Sequence, residues 1–588
     1  MDIQRTLLIG AAFLLGYMLL TEWVAFKDER SALATPESRL TAAESPATTE
    51  GLITADGPVA GNPVNSGELP SIQDASDTPS AISASAEDLP SVPSATAQEN
   101  TPATDASAAS QRSSIVQVYT DSLQLAIDLN GGDIVEVALP RFLADIDDPN
   151  TPFVLLESNE QRTYIAQSGL IGRDGIDAKG RARFAANATQ FEMGDADELQ
   201  IDLTWEENGV SVIKRFILER DSYVVTVRYL ITNNGPSRWQ GNLFGQIKRD
   251  SSAAPQATDS GMGMQPFLGA ATTTPDDRFK KFDFEDMRDE PFQEQLAGGW
   301  IALIQHYFLS AWIPDPDQSH NYSTRVTKDG FNIAGFVSPA VAVDPGGNAE
   351  VSARFYAGPK DQYSLEEISP FLELSVDYGW LWWIAQPLFW LLTKIQSVVT
   401  NWGVAIILLT VLIKAVFFQL SATSYKSMAK MRQVQPRMQA IREEHADDKQ
   451  KQSQAMMELY RKEKINPMGG CLPILVQMPV FIALYWVLME SVELRHAPFA
   501  LWINDLSVMD PFYVLPLMMG ASMFFMQKLN PPPPDPMQAK IMQWLPVIFT
   551  FFFLWFPAGL VLYWVVNNLL SMAQQFVITR QIERAAAR

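Results

Sequence analysis

A lysine set inside an apolar run constrains this chain more than any other feature. Asn401 to Leu420 reads NWGVAIILLTVLIKAVFFQL, with Lys414 within it, and a run of this length suits a membrane-spanning helix. Placing Lys near the middle of a bilayer costs about 2.5–3.5 kcal/mol on insertion scales, so the residue needs water or a partner. The neighbouring apolar runs contain no acid to neutralise it. One reading is snorkelling, because Lys414 lies only ~9 Å of helix from Leu420. The other is a hydrated recess: Thr410 and Gln419 share its run, Gln477 interrupts the next, and Asn567, Asn568, Ser571, Gln574 and Gln575 interrupt the last. Polar groups in lipid must be satisfied internally, so these residues are expected to face one another.

Four more apolar runs follow, Met468 to Met489, Pro511 to Gln527, Ile541 to Phe556 and Gly559 to Val577, and Thr6 to Leu20 makes a sixth near the start. The small-residue stretch Ala32-Leu33-Ala34 is separated from Leu20 by Glu22, Lys27, Asp28, Glu29 and Arg30. That distance and charge argue for an uncleaved anchor rather than a signal peptide. The loop Ser421 to Asn466 holds ten basic and six acidic residues, which places it in the cytoplasm, and the remaining loops alternate consistently with it. The expectation is six spans with both termini cytoplasmic. Within the basic loop Met431, Val434, Met438 and Ile441, then Met456 and Leu459, recur at helical spacing and predict a hairpin turning at Ala446-Asp447-Asp448.

The front of the chain is another material. Of 44 basic and 67 acidic residues, 18 and 12 lie from Tyr378 onward, leaving 26 and 55 before it. So acidic a front half excludes nucleic-acid readout and an anionic membrane surface as its partner. Ser31 to Ser110 is dominated by Ala, Ser, Thr, Pro, Asp and Glu and reads as a flexible tether. Beyond it, runs such as IVQVYT, LQLAIDL, SVIKRFILE and YVVTVRYLIT alternate with period two between turn clusters such as Asn130-Gly131-Gly132, the pattern of an antiparallel β-sandwich. One cysteine, Cys471, allows no disulfide within the chain, and the scattered His306, His320, His445 and His496 lack the spacing of a metal site. No phosphate-binding glycine motif is present. No cofactor or metal is expected. The acidic run Asp283 to Glu290 reads as a solvated face. Trp380, Trp382, Trp383 and Trp390 around Pro387 suit a helix lying at the bilayer surface.

The chain thus divides into an anchor (1–30), a tether (31–112), a sandwich (113–360), interfacial helices (361–398), a helical core (399–579) containing the hairpin 421–466, and a tail (580–588). A transporter or channel would also use a cation in a polar recess, but it predicts repeated halves or matched broken helices. A carbohydrate enzyme built on the sandwich would need a carboxylate pair in a cleft.

Three stretches, KMRQVQPRMQAIREEH, NPMGGCLPILVQMPVFIALYWVLMESVELRHAPFALWINDLS and LPVIFTFFFLWFPAGLVLYWVVNNLLS, resemble the YidC/Oxa/Alb family of membrane protein insertases, in its Gram-negative form. The strong similarity covers about Tyr378 to Thr579. It implies an N-terminal transmembrane anchor, a five-helix core and a large periplasmic antiparallel β-sandwich in the bacterial inner membrane. It also implies an insertase and chaperone without nucleotide hydrolysis, whose hydrophilic groove is open to cytoplasm and lipid and closed outside. Most relatives carry arginine in that groove, and Lys414 occupies the matching place. The polar residues of the recess read above, Lys414, Thr410, Gln419, Gln477, Asn567, Asn568 and Ser571, are expected to form that groove. By the same resemblance Cys471, Leu472, Pro473, Met478, Phe481, Tyr563 and Trp564 are the apolar contacts, with Trp564 standing where relatives often carry tyrosine. The implied partners are nascent inner-membrane proteins, the lipid bilayer and the Sec translocon with its accessory subunits. The short stretch Gln581 to Arg588 argues against ribosome docking through the tail.

Overall fold

The computed structural model describes residue 90 and residues 114–254, 266–445, 448–463, 472–529 and 536–586. The anchor Thr6 to Leu20, nearly all of the tether, the Ala446-Asp447 part of the expected turn and Cys471 lie outside the described residues.

Among the described residues two sheets, one of ten strands and one of nine, share a single apolar core. Their pairings are antiparallel except for Ile115–Tyr119 beside Gln190–Glu192. Strand β1 is Asp133–Asp145, β2 is Thr163–Ile171, β3 is Val210–Glu219, β4 is Phe308–Pro314 and β5 is Asn348–Pro359. In β3 the core-facing positions are Val212, Lys214, Phe216 and Leu218, so the period-two pattern seats a lysine in the interior. Its Nζ donates to the carbonyls of Gly131, Gly132 and Ser168 at 3.0, 2.8 and 3.1 Å. Arg181 lies beside it, bonded to Asp133 and Asp177. A Cβ at Gly132 would stand 2.8 Å from Lys214 Cδ, and the residue has φ of +62°, so the turn needs glycine twice over. Strands β2 and β4 do not alternate, because both faces are covered. On β4 the outward Leu309, Ala311 and Ile313 pack with Leu365 and Leu372, which follow the sandwich in sequence. The acidic run Asp283 to Glu290 forms a one-turn helix α1 (Phe284–Asp289), capped by Asp283 accepting from the Glu285 and Asp286 amides.

After helix α2 (Gln362–Ile368) comes α3 (Trp382–Val399), from which Trp382, Trp383 and Trp390 project, each more than half exposed; Trp380 just before it is similarly bare. Helix α4 (Trp402–Val416) starts at Asn401, whose side chain accepts from the Val404 amide, and meets α5 (Phe418–Glu444) at a 67° bend. Helix α6 (Lys449–Lys462) pairs with α5 around Val434 and Met438, with Met456 and Leu459 against them. The remaining helices are α7 (Leu472–Glu490), α8 (Val514–Leu529), α9 (Pro536–Phe552) and α10 (Ala558–Ala586). Among the described residues one stretch, Ala558–Ile582, is by itself long and apolar enough to cross a membrane, and the bent α4–α5 pair passes only when joined. Helices α8 and α9 have 16 and 17 residues, shorter than the ~20 that a bilayer usually asks for. Pro546 inside α9 cannot donate to the Met542 carbonyl, and the Gln527 side chain of α8 bonds that carbonyl instead.

The sandwich is docked on the helices. Val492, just past α7, belongs to the sandwich's own apolar core. Arg495 donates to the Leu143 carbonyl of β1 at 2.6 Å and lies over the rings of Phe153 and Phe308. His306 Nε2 meets the Met489 carbonyl at 2.8 Å. Burial, with Lys360 nearby, pushes the His306 imidazole down to about 3, so it is neutral at physiological pH and donates from Nε2. The folded state therefore refuses a proton that the unfolded chain accepts from its usual ~6.5 downward. This contribution is fully present above pH ~6.5 and is lost as pH falls toward about 3. Thermal unfolding of the full chain in detergent should thus lose more between pH 7 and pH 4.5 than that of a His306→Gln variant, whose amide keeps the bond without titrating. Equal losses would show that His306 does not carry the effect.

Candidate functional site

A cavity of about 550 Å³ opens between α4, α5, α7, α8, α9 and α10. Lys414 enters it from the last turn of α4 and donates from Nζ to Ser571 Oγ at 2.7 Å and Gln477 Oε1 at 3.4 Å. The amide of Gln477 donates in turn to Asn567 Oδ1 and, at 3.4 Å, to the Tyr563 hydroxyl. Ser571 Oγ donates to the Asn567 carbonyl one turn back on α10 at 2.6 Å, which leaves its lone pairs for the ammonium. Asn568 Nδ2 donates to Ser522 Oγ of α8 at 3.0 Å. These side chains share one face of α10 because positions 564, 567, 568, 571 and 575 recur at three- and four-residue spacing. No carboxylate of a described residue pairs with Lys414. A cation held by neutral acceptors alone keeps its full charge toward whatever enters the cavity.

The rest of the lining is mostly apolar. Met478, Phe481, Phe549, Phe553, Tyr563 and Trp564 belong to it, with Phe481 edge-on to Trp564 at 4.5 Å between centroids and close to parallel with Tyr563 at 6.2 Å. Of the groove residues expected from sequence, Lys414, Gln477, Asn567, Asn568 and Ser571 come together here. Thr410 does not line the cavity; it is fully buried and returns its hydroxyl to the Ile406 carbonyl of its own helix. Gln419 is exposed beyond the bend after α4 and is also absent from the lining. Among the apolar contacts, Met478, Phe481, Tyr563 and Trp564 line the cavity. Cys471 and the side chains of Leu472 and Pro473 lie outside the described residues. Tyr425, Met428, Met523 and Met526 also line it, as do Phe549, Phe552, Phe553 and Phe556 of the stretch Phe549 to Phe556. Period and composition mark that stretch only as apolar, without saying which side faces lipid.

The fold is thus a β-sandwich seated on helices that surround a mainly apolar cavity with Lys414 and a few amide and hydroxyl groups in its lining. Residues 115–391 match the family description "YidC periplasmic domain" and residues 394–585 the description "60Kd inner membrane protein". The membrane protein insertase YidC of Pseudomonas entomophila is 50% identical over 587 residues, covering 100% of this chain and 99% of its own. That of Azotobacter vinelandii is 48% identical over 589 residues, with both chains covered in full. A solved active YidC insertase with its first transmembrane domain resolved covers 78% of this chain and 92% of its own, at 18% identity and a TM-score of 0.35, a likeness too distant to bear on the fold. The chain belongs to the YidC family of membrane protein insertases.

The Ser571 hydroxyl is the shortest contact of Lys414, at 2.7 Å. Hydrogen bonds to charged groups contribute about 1.5–3 kcal/mol. Ser571→Ala should lose that amount in reversible detergent-denaturant unfolding, while Ser571→Thr, which keeps a hydroxyl, should lose less than half of it. Indifference to both substitutions would mean that water already serves the ammonium.

Proposed function

We propose that the cavity around Lys414 is the groove through which this insertase passes apolar segments of nascent inner-membrane proteins into the bilayer. The observation that carries this reading is the make-up of the cavity: an ammonium without a carboxylate partner among the described residues, held by Gln477 and Ser571, within a lining that is otherwise mostly aromatic and apolar. A client needs both. Its translocated polar tail has to leave water without losing all its hydrogen bonds, and acidic groups on that tail are attracted by Lys414. Its apolar segment slides along Phe481, Trp564 and Met478 toward lipid, gaining roughly 25 cal/mol per Å² of apolar surface removed from water. That partitioning is the energy source in this reading, with no nucleotide hydrolysis.

The proposed setting is the bacterial inner membrane. The chain crosses it six times, with both termini and the α5–α6 hairpin in the cytoplasm, the sandwich in the periplasm and α3 lying in the outer interface. The positive charge of the loop Ser421 to Asn466 supports the orientation. The exposed tryptophans on and before α3 support its interfacial placement. Insertion proceeds alone or beside the Sec translocon, with the sandwich as the proposed contact to Sec subunits.

The test uses proteoliposomes holding the full chain and no other protein. Lys414→Arg should insert clients with acidic tails at the wild-type rate, and Lys414→Glu should lose most of that insertion, since the reading needs positive charge rather than an ammonium in particular. Solute flux without insertion would favour a transporter, and wild-type insertion by Lys414→Glu would remove the electrostatic role.

A second expectation follows from the apolar lining. A photo-crosslinker at Met478, Phe481 or Trp564, which line the cavity, should capture a stalled single-span client. One at Met518, exposed on α8 and outside the lining, should do so far less. Uniform capture would mean that the client follows no defined path.

A further inference from the structure

The joint between sandwich and helices holds a charge pair that the groove does not use. Lys360 follows the last residue of β5, its amide donating to the Tyr307 carbonyl at 2.8 Å. Its Nζ stands 2.6 Å from Glu490 Oε2, with the two side chains only 3% and 4% exposed. Glu490 is the last residue of α7. A carboxylate there meets the negative end of the helix dipole as well as the loss of water, so it is held only by its cation. The other charges facing it, Asp377 and Lys281, are paired with each other at 2.7 Å and are more exposed. His306 holds the Met489 carbonyl beside it.

The rest of the upper part of α7 is apolar, with Ala483, Leu484, Val487 and Leu488 buried. Such packing is non-directional and sets no particular height for the helix along its axis. Directional contacts act at both ends of this stretch: Lys360 and His306 at the top, and Gln477 with Asn567 and Lys414 below. The levels are ~20 Å apart along the helix. Pro479 lies between them, two residues from Gln477, and its ring removes one intrahelical hydrogen bond there, so a change of height or tilt at Glu490 is taken up beside the groove floor.

We propose that Lys360 is a positioning residue for insertion: by pairing with Glu490 it holds α7 at the height that keeps Gln477 beside Lys414. The sandwich is then a fixed support of one groove wall. This proposal rests on the groove reading above only for its consequence in insertion; the position of α7 is measured independently of it.

Spin labels introduced as noncanonical residues at Leu475 on α7 and Leu408 on α4, both exposed, report that position in lipid nanodiscs. In Lys360→Met the distance between them should shift by about 2 Å or broaden by as much. Insertion of an acidic-tailed client by the same variant should fall about fivefold at matched protein level. Lys360→Arg should leave both unchanged, and the exchange Lys360→Glu with Glu490→Lys should restore both. An unaltered distance in Lys360→Met overturns the proposal, as does a shifted distance with undiminished insertion. If Lys360→Met fails to fold and the exchange folds but neither keeps the distance nor inserts, the pair serves stability alone and the proposal falls as well. Wild-type insertion by Lys414→Glu would sink the groove reading while leaving the distance measurement to decide the role of Lys360.

Discussion

An ammonium among apolar helices has to be given hydrogen-bond acceptors, and the arrangement of α4, α7, α8 and α10 follows from that requirement. Lys414 is met by Ser571 and Gln477 rather than by a carboxylate. An acid would have neutralised the charge and closed the site into a structural ion pair. Neutral acceptors leave the cavity partly polar without cancelling its field, and they oblige Asn567, Asn568 and Ser522 to form bonds of their own around it. The Tyr563 hydroxyl joins that network through Gln477, the buried Trp564 indole N–H is left without a partner among the described residues, and the phenylalanines remain free to meet apolar chain.

Two other buried cations are handled in the opposite way. Arg181 is held by two aspartates and Lys360 by Glu490. Each is matched closely, as a water-free interior demands. The contrast separates charges that define the fold from the one exposed to a changing occupant. It also makes the sandwich more than a domain on a leash, because one of the matched pairs spans its border with the helices.

Much of this was readable in the residues. Alternation marked β3 and its neighbours, since one face of each meets the core and the other water. It missed β2 and β4, which are buried on both faces and whose pattern is therefore continuous; the outer face of β4 is covered by Leu365 and Leu372. Lys414, Gln477 and Ser571 stood out because polar residues in apolar runs require an explanation. Thr410 misled for the same reason: it lies one turn from Lys414, yet a threonine satisfies itself on the carbonyl four residues back and needs no groove. Gln419 failed differently, because the 67° bend after α4 ends the helical face from which its position was extrapolated. Lys360 and Glu490 are 130 residues apart in sequence, and no local pattern joins them.

The lengths of α4, α8 and α9, at 15, 16 and 17 residues, give them rises of roughly 22–26 Å against a hydrocarbon core of ~30 Å. In the proposed orientation the tryptophans of α3 fix the level of one lipid headgroup layer. With one surface pinned and the helices short, the adjustment falls on the lipid, whose acyl chains must compress or tilt beside the groove at fractions of a kcal/mol per Å. In that orientation the lipid beside the groove is thinner than the bulk bilayer, and acyl-chain length becomes a variable of the working environment in the way that ionic strength is for a soluble enzyme.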